Sequence, residues 1–126
     1  MDPSPWILVI DDDRWTREAL VDILHRAGYQ VTTREGFDQE PDAGHFPHRY
    51  EVAVLDYHLP YLNGLEVARR LKQFQPECRI VMISAEVPHL SRLAGQETTV
   101  DRFLAKPFSK DAILEVIAQL CPSPVT

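Results

Sequence analysis

Short apolar or β-branched runs recur along the chain at Trp6 to Ile10, Gln30 to Arg34, Val52 to Leu55, Arg79 to Ile83 and Arg102 to Ala105. Between them the apolar positions shift to a helical period. Alternation of this kind predicts an α/β domain whose parallel strands are covered by helices on both faces. The first helix is the clearest: Trp15, Ala19, Leu20, Ile23, Leu24 and Ala27 trace one face, and Gly28 stands where a helix stops. A later helix starts where Asn63 can cap and Glu66 can reach back to it, then runs through Leu65, Ala68, Leu71 and Phe74 to Pro76. The last helix takes Ser109 as its cap and sets Ile113, Val116, Ile117 and Leu120 on one side.

Two segments fit the alternation less well. Phe37 to Arg49 should hold the second helix, yet Pro41, Gly44 and Pro47 are each unfavourable in a helix interior, so that helix is expected to be short or irregular. Glu86 to Thr99 reads as a helix starting near Pro88, with Leu90, Leu93 and Ala94 inward and a polar exit. Boundaries follow: residues 1–5 form an N-terminal extension, 6–120 one domain, and 121–126 a tail of linker composition, Cys-Pro-Ser-Pro-Val-Thr.

Composition narrows the classes. The 126 residues suit one domain with a real core. No apolar run approaches the roughly 18 residues of a membrane span, and no basic-then-apolar leader is seen, so a soluble cytoplasmic protein is expected. Cys78 and Cys121 have no metal-ligand spacing and read as free thiols. Thirteen basic against nineteen acidic residues give a net charge of −6, which disfavours nucleic-acid binding by this domain and suits a cation better.

In open parallel sheets, ligands bind beyond the carboxyl ends of the strands. The residues there are Asp11, Asp12 and Asp13, then Asp56, Ser84, and Lys106 followed by Pro107. Each has an ordinary reading alone: Asp13 as a helix cap, Ser84 as a turn residue, Lys106 as a solvated lysine. Together they suit phosphoryl transfer to a carboxylate. Clustered carboxylates hold a hard cation such as Mg²⁺, and Asp56, directly after a buried strand, is the nucleophile that would form an acyl phosphate. Lys106 and the Ser84 hydroxyl would pair with phosphoryl oxygens.

Over about residues 6 to 120 the sequence resembles the response-regulator receiver family. The segments that carry the resemblance are Ile7-Leu8-Val9-Ile10-Asp11-Asp12-Asp13, Val54-Leu55-Asp56-Tyr57-His58-Leu59-Pro60 with Asn63-Gly64, Val81-Met82-Ile83-Ser84-Ala85-Glu86, and Phe103-Leu104-Ala105-Lys106-Pro107-Phe108. The resemblance implies a flavodoxin-like, doubly wound five-stranded sheet in the order 2-1-3-4-5. It implies a signalling domain that promotes its own phosphorylation and dephosphorylation and is not otherwise an enzyme. Asp56 would be the phosphorylation site. Asp11, Asp12, Asp56 and the backbone carbonyl of His58 would serve Mg²⁺ or Mn²⁺, Asp11 largely through water. Ser84 and Phe103 would be the switch pair, and the Lys106-Pro107 bond would be cis. His58 and Glu86 stand where side chains of the family tune phosphate lifetime, although His58 can also be read as an exposed loop residue supplying only its carbonyl. The donor would be a sensor histidine kinase or a phosphotransfer protein. A fused C-terminal effector fits the tail, and a homodimer through the face of the fourth helix, fifth strand and last helix fits the switch. Thr98-Thr99-Val100 replaces the small-residue turn usual before the fifth strand.

Rival readings remain. A haloacid-dehalogenase-like phosphatase would use Asp11 and Asp13, but Trp15 stands where a Thr is expected and no acidic pair follows Lys106. A flavin- or nucleotide-binding domain would need a glycine-rich loop where Asp11 to Asp13 stand. A receiver acting only as an unphosphorylated interaction module is the third.

Overall fold

A computed structural model of the protein describes residues 4–36, 48–60, 62–85 and 99–121. Strands β1 (Trp6–Ile10), β2 (Gln30–Arg34), β3 (Val52–Asp56), β4 (Arg79–Ser84) and β5 (Arg102–Ala105) form one parallel sheet in the order β2-β1-β3-β4-β5. Helices α1 (Arg14–Arg26), α2 (Gly64–Phe74) and α3 (Lys110–Leu120) complete the described elements. The expected helices within residues 37–47 and 86–98 lie outside the described residues, as does Thr98.

The core follows from the twofold alternation of a strand applied to a sheet buried on both sides. Leu8, Ile10, Ala53, Leu55, Ile80 and Met82 pack with Leu65, Ala68 and Leu71 of α2. Ile7, Val9, Val52, Val54, Val81 and Ile83 pack on the other face with Leu20 and Leu24 of α1 and Ile113 and Ile117 of α3. The three central strands therefore have no solvent face, which is why they read as unbroken apolar runs.

Two expectations about helix faces are corrected. Trp15 is 75% exposed, because the stripe that meets the sheet is Leu20 and Leu24, one turn apart, while Trp15 and Ala19 lie outside it. Phe74 is 56% exposed: it is the last residue of α2, and the stripe of that helix that meets the sheet ends with Leu71. The caps are as expected: Asn63 Oδ1 accepts the Glu66 amide at 3.0 Å, and Ser109 Oγ accepts that of Ala112 at 3.0 Å. Asp13 caps α1 in the same manner, accepting the amide and hydroxyl of Thr16 at 3.1 and 2.6 Å. Gly28, with φ of 100°, takes the left-handed conformation after α1 that a side chain would resist. Both cysteines are buried thiols outside any disulfide, and burial pushes Cys78 up to about 12 and Cys121 up to about 11.

Candidate functional site

The ends of the strands build the site. Asp56 and Ser84 were expected just beyond β3 and β4; they are instead the last residues of those strands, paired with Ile83 and Ala105 respectively. The ladder continues one bond further, with the Tyr57 amide on Ile83 O at 2.9 Å and the Lys106 amide on Ser84 O at 2.8 Å. The same holds on β1, where the Asp11 amide donates to Arg34 O at 3.1 Å. These side chains consequently stand on backbone fixed by sheet pairing and not on free loops. That rigidity also buries them: Asp11 and Ser84 are fully buried and Asp56 is 5% exposed.

Carboxylate oxygens of Asp11, Asp12 and Asp56 lie within 4.8 Å of one another. Lys106 stands among them, its Nζ 2.9 Å from Asp11 Oδ2 and 3.4 Å from Asp56 Oδ2. The shorter contact is an ion pair without the angle of an aligned hydrogen bond, so the buried Asp11 Oδ2 has a charge partner but no properly directed donor. Asp11 Oδ1 accepts the Asp13 amide at 2.8 Å, and Asp56 Oδ1 accepts the His58 amide at 3.3 Å, long for such a bond.

Burial and the neighbouring Asp11 raise the Asp56 carboxyl above its ordinary pKa, with Lys106 and the His58 amide pulling the other way. Burial alone would lower the Lys106 ammonium; Asp11 and Asp56 more than reverse this, and its pKa is raised. Asp13 is lowered by its bonds to Thr16, which marks it as a cap that stays ionised. A cluster of oxygen ligands with one carboxylate oxygen lacking a directed donor suits a hard divalent cation in its donor chemistry.

Phe103 is half-buried against the α2-side core and pairs in register with Met82. Ser84 is two residues beyond Met82, so strand alternation puts Ser84 and Phe103 on the same sheet face. His58 is exposed, its ring edge-on to Tyr57 at 5.1 Å. The Lys106-Pro107 peptide bond is cis. Glu86 lies outside the described residues.

One contributor was not singled out from the sequence. Arg17 donates from Nη1 to the Asp11 carbonyl at 2.8 Å and from Nη2 to Glu35 at 3.3 Å, tying the β1–α1 turn to the segment after β2. An arginine one turn beyond the Asp13 cap was the available signal, but its direction depends on tertiary structure. A groove of about 510 Å³ lined by His48, Tyr50, Phe74 and Gln75 opens at the opposite end of the sheet. It holds no acid cluster, and charge, not cavity size, is what directs phosphoryl chemistry.

Fold and site together define a flavodoxin-like α/β domain with an acid recess at the carboxyl edge. Residues 7–118 match the response regulator receiver domain family, and the chain belongs to that family: it is a receiver domain of two-component signalling. Response regulator MprA of Mycolicibacterium vanbaalenii is 36% identical over 116 residues, a match covering 86% of this chain and 46% of that protein. The phosphate regulon transcriptional regulatory protein PhoB of Pseudomonas aeruginosa is 32% identical, covering 90% and 49%. The chain thus spans about half the length of these relatives. Among solved structures, the beryllofluoride-activated receiver domain of DrrB superposes with a TM-score of 0.80 at 26% identity, covering 93% of this chain and 97% of that one. TrrA of Thermotoga maritima, in complex with Mg²⁺ and beryllofluoride, gives 0.78 at 29%, covering 93% and 99%. Among the described residues no helix is long and apolar enough to cross a membrane.

Proposed function

We propose that Asp56 is the phosphoryl acceptor, that Asp11, Asp12, Asp56 and the His58 carbonyl hold Mg²⁺ or Mn²⁺, and that Ser84 with Phe103 carries the signal outward. The observation that supports this most directly is the position of Asp56: a nearly buried carboxylate on paired backbone, 3.4 Å from an ammonium and beside two further acids. An Asp56 oxygen attacks phosphorus, the bond from phosphorus to the donor's imidazole nitrogen breaks, and that nitrogen leaves with its electron pair to give an acyl phosphate. When bound, the cation supplies positive charge that offsets the phosphoryl oxygens and the carboxylates.

Lys106 is already within reach of both partners and needs only to exchange a carboxylate oxygen for a phosphoryl one. Ser84 shares its sheet face with Phe103, so movement of the hydroxyl toward a phosphoryl oxygen opens space that the aromatic ring can take. His58, two residues past Asp56, borders the path of a hydrolytic water, and Glu86 is assigned the matching role after Ser84. The donor would be a phosphohistidine on a sensor kinase or a phosphotransfer protein. The relatives' greater length supports a fused effector after this domain, and the face containing β5 and α3 would serve a homodimer. A cytoplasmic location accords with such a donor.

The test is to treat the full chain with acetyl phosphate and Mg²⁺ and locate the label by mass spectrometry. A gain of one phosphoryl group on Asp56 is expected. Label on Asp11 would instead favour the dehalogenase-like phosphatase, and absence of label with a kinase donor as well would favour the unphosphorylated interaction module.

A further inference from the structure

Gly64, the first residue of α2, has a backbone torsion in the ordinary range, since Gly28 is the glycine of positive φ among those described. Its lack of a side chain serves space instead. A Cβ there would stand 2.6 Å from the carbonyl oxygen of Asp56, 2.9 Å from Tyr57 Cα and 2.5 Å from Met82 Sδ. The sulfur ends a flexible side chain and can move. The other two atoms are backbone held by the β3–β4 ladder, through the Tyr57 amide on Ile83 O at 2.9 Å. The Gly64 amide also donates to Tyr57 O at 2.8 Å, so α2 is anchored to the residue that follows the acceptor.

We infer that Gly64 is a positioning residue for the acid recess: it lets the start of α2 press directly on the end of β3 and so fixes the Asp56 carboxylate and the Tyr57–His58 turn. The inference rests on the functional reading given above. Any side chain at this position drives the helix and the strand end apart, and the atoms displaced belong to Asp56, which bears one carboxylate of the cluster, and to Tyr57, which directly precedes the assigned carbonyl ligand His58. Gly36 is the contrast. A Cβ there would meet only Pro60 Cδ at 3.9 Å, an ordinary contact.

Four forms of the full chain test this: wild type, Gly64→Ala, Gly36→Ala and Gly64→Ala with Met82→Val. Mg²⁺ is titrated into each, and amide chemical shifts are recorded first without metal. Gly64→Ala is expected to shift the amides of Asp56, Tyr57 and His58 in the metal-free state and to weaken Mg²⁺ on the order of ten- to hundredfold, the usual cost of disturbing residues that orient metal ligands. Gly36→Ala should bind as wild type does. The double variant removes the sulfur conflict, which guards against a single variant that does not fold, and it should keep the Mg²⁺ defect because the backbone conflicts remain. Wild-type affinity in the double variant would overturn the inference, since Gly64 would then only make room for Met82. Wild-type affinity in Gly64→Ala would overturn it equally. A wild-type chain that neither binds Mg²⁺ nor accepts phosphate on Asp56 would instead defeat the functional reading on which this stands.

Discussion

At the carboxyl end of the strands three carboxylates cluster and one ammonium pairs with two of them, Lys106 lying 2.9 Å from Asp11 and 3.4 Å from Asp56. At the amino end, hydrogen bonds close the fold without an excess of charge. Gln75 accepts the Tyr50 amide at 2.8 Å and donates to His48 O at 2.9 Å, His48 stacks on Trp6 with ring centroids 3.5 Å apart, and Asp101 accepts the Ile80 amide at 2.8 Å. One end is closed by directed hydrogen bonds, and the other gathers carboxylates around a single ammonium. On the proposed reading, a bound cation or phosphoryl group would act on the charge gathered at the carboxyl end and would find no such cluster among the described residues of the amino end.

The largest effect expected is that of Asp56→Asn. Labelling by acetyl phosphate should be lost completely, because the amide is not a nucleophile toward phosphorus. The same substitution should stabilise the metal-free domain by about 1–2 kcal/mol at neutral pH, since it removes a buried like charge beside Asp11. The sign with pH follows from the raised Asp56 pKa. A carboxyl raised in the folded state penalises folding above its range and ceases to do so once protonated in both states. Wild-type and variant stabilities should therefore converge as pH falls below the ordinary carboxylate range. Urea unfolding at neutral and acidic pH measures this, and a variant less stable than wild type would remove the contrast between the two ends.

Lys106→Met sharpens the same contrast from the other side. Three carboxylates would then face one another without their cation, and a loss of about 2–3 kcal/mol at neutral pH is expected, because a charge pair only 21% exposed on the lysine side has been broken. The deficit should shrink as acid neutralises Asp56. Added Mg²⁺ should restore part of the stability, since it replaces the missing positive charge. If the deficit were independent of pH, lost packing of the lysine stem and not electrostatics would be its cause.

Much of this was readable from the chain. All five strands were legible, β1, β3 and β4 most clearly because they are buried on both faces and leave continuous apolar runs, whereas the sheet order came from the family resemblance and not from the runs themselves. The acid recess was legible because topology alone brings strand ends to one edge. What the sequence does not carry is direction. Trp15 and Phe74 fit the helical period and yet are exposed, because the stripes that meet the sheet are Leu20 and Leu24 of α1 and Leu65 to Leu71 of α2. Asp56 and Ser84 are within their strands because pairing extends to the functional residue itself, and polarity at a strand end looks like a boundary when read linearly. Gly64 was visible as part of an Asn-Gly pair, but the close approach that makes it informative is a distance between elements.

Gln75→Ala tests the satisfied end and carries the smallest effect. Its amide bridges two backbone groups of the segment before β3, and Tyr50 is only 2% exposed, so removal leaves the Tyr50 amide without that partner. A buried donor left unpaired costs on the order of 1–3 kcal/mol, and the groove of about 510 Å³ alongside gives water partial access, which puts the expected loss near the lower end. Gln75→Glu should fall between wild type and alanine at neutral pH: the carboxylate can still accept from Tyr50 but cannot donate to His48 O. Mg²⁺ affinity and the rate of Asp56 labelling should match wild type in both variants, because the α2 C-terminus is a helix length away from the Gly64 end that abuts the recess. Chemical denaturation paired with a Mg²⁺ titration decides it. A stability loss accompanied by weaker Mg²⁺ binding would mean that α2 transmits displacement along its axis, and the two ends of the sheet would then be one coupled unit.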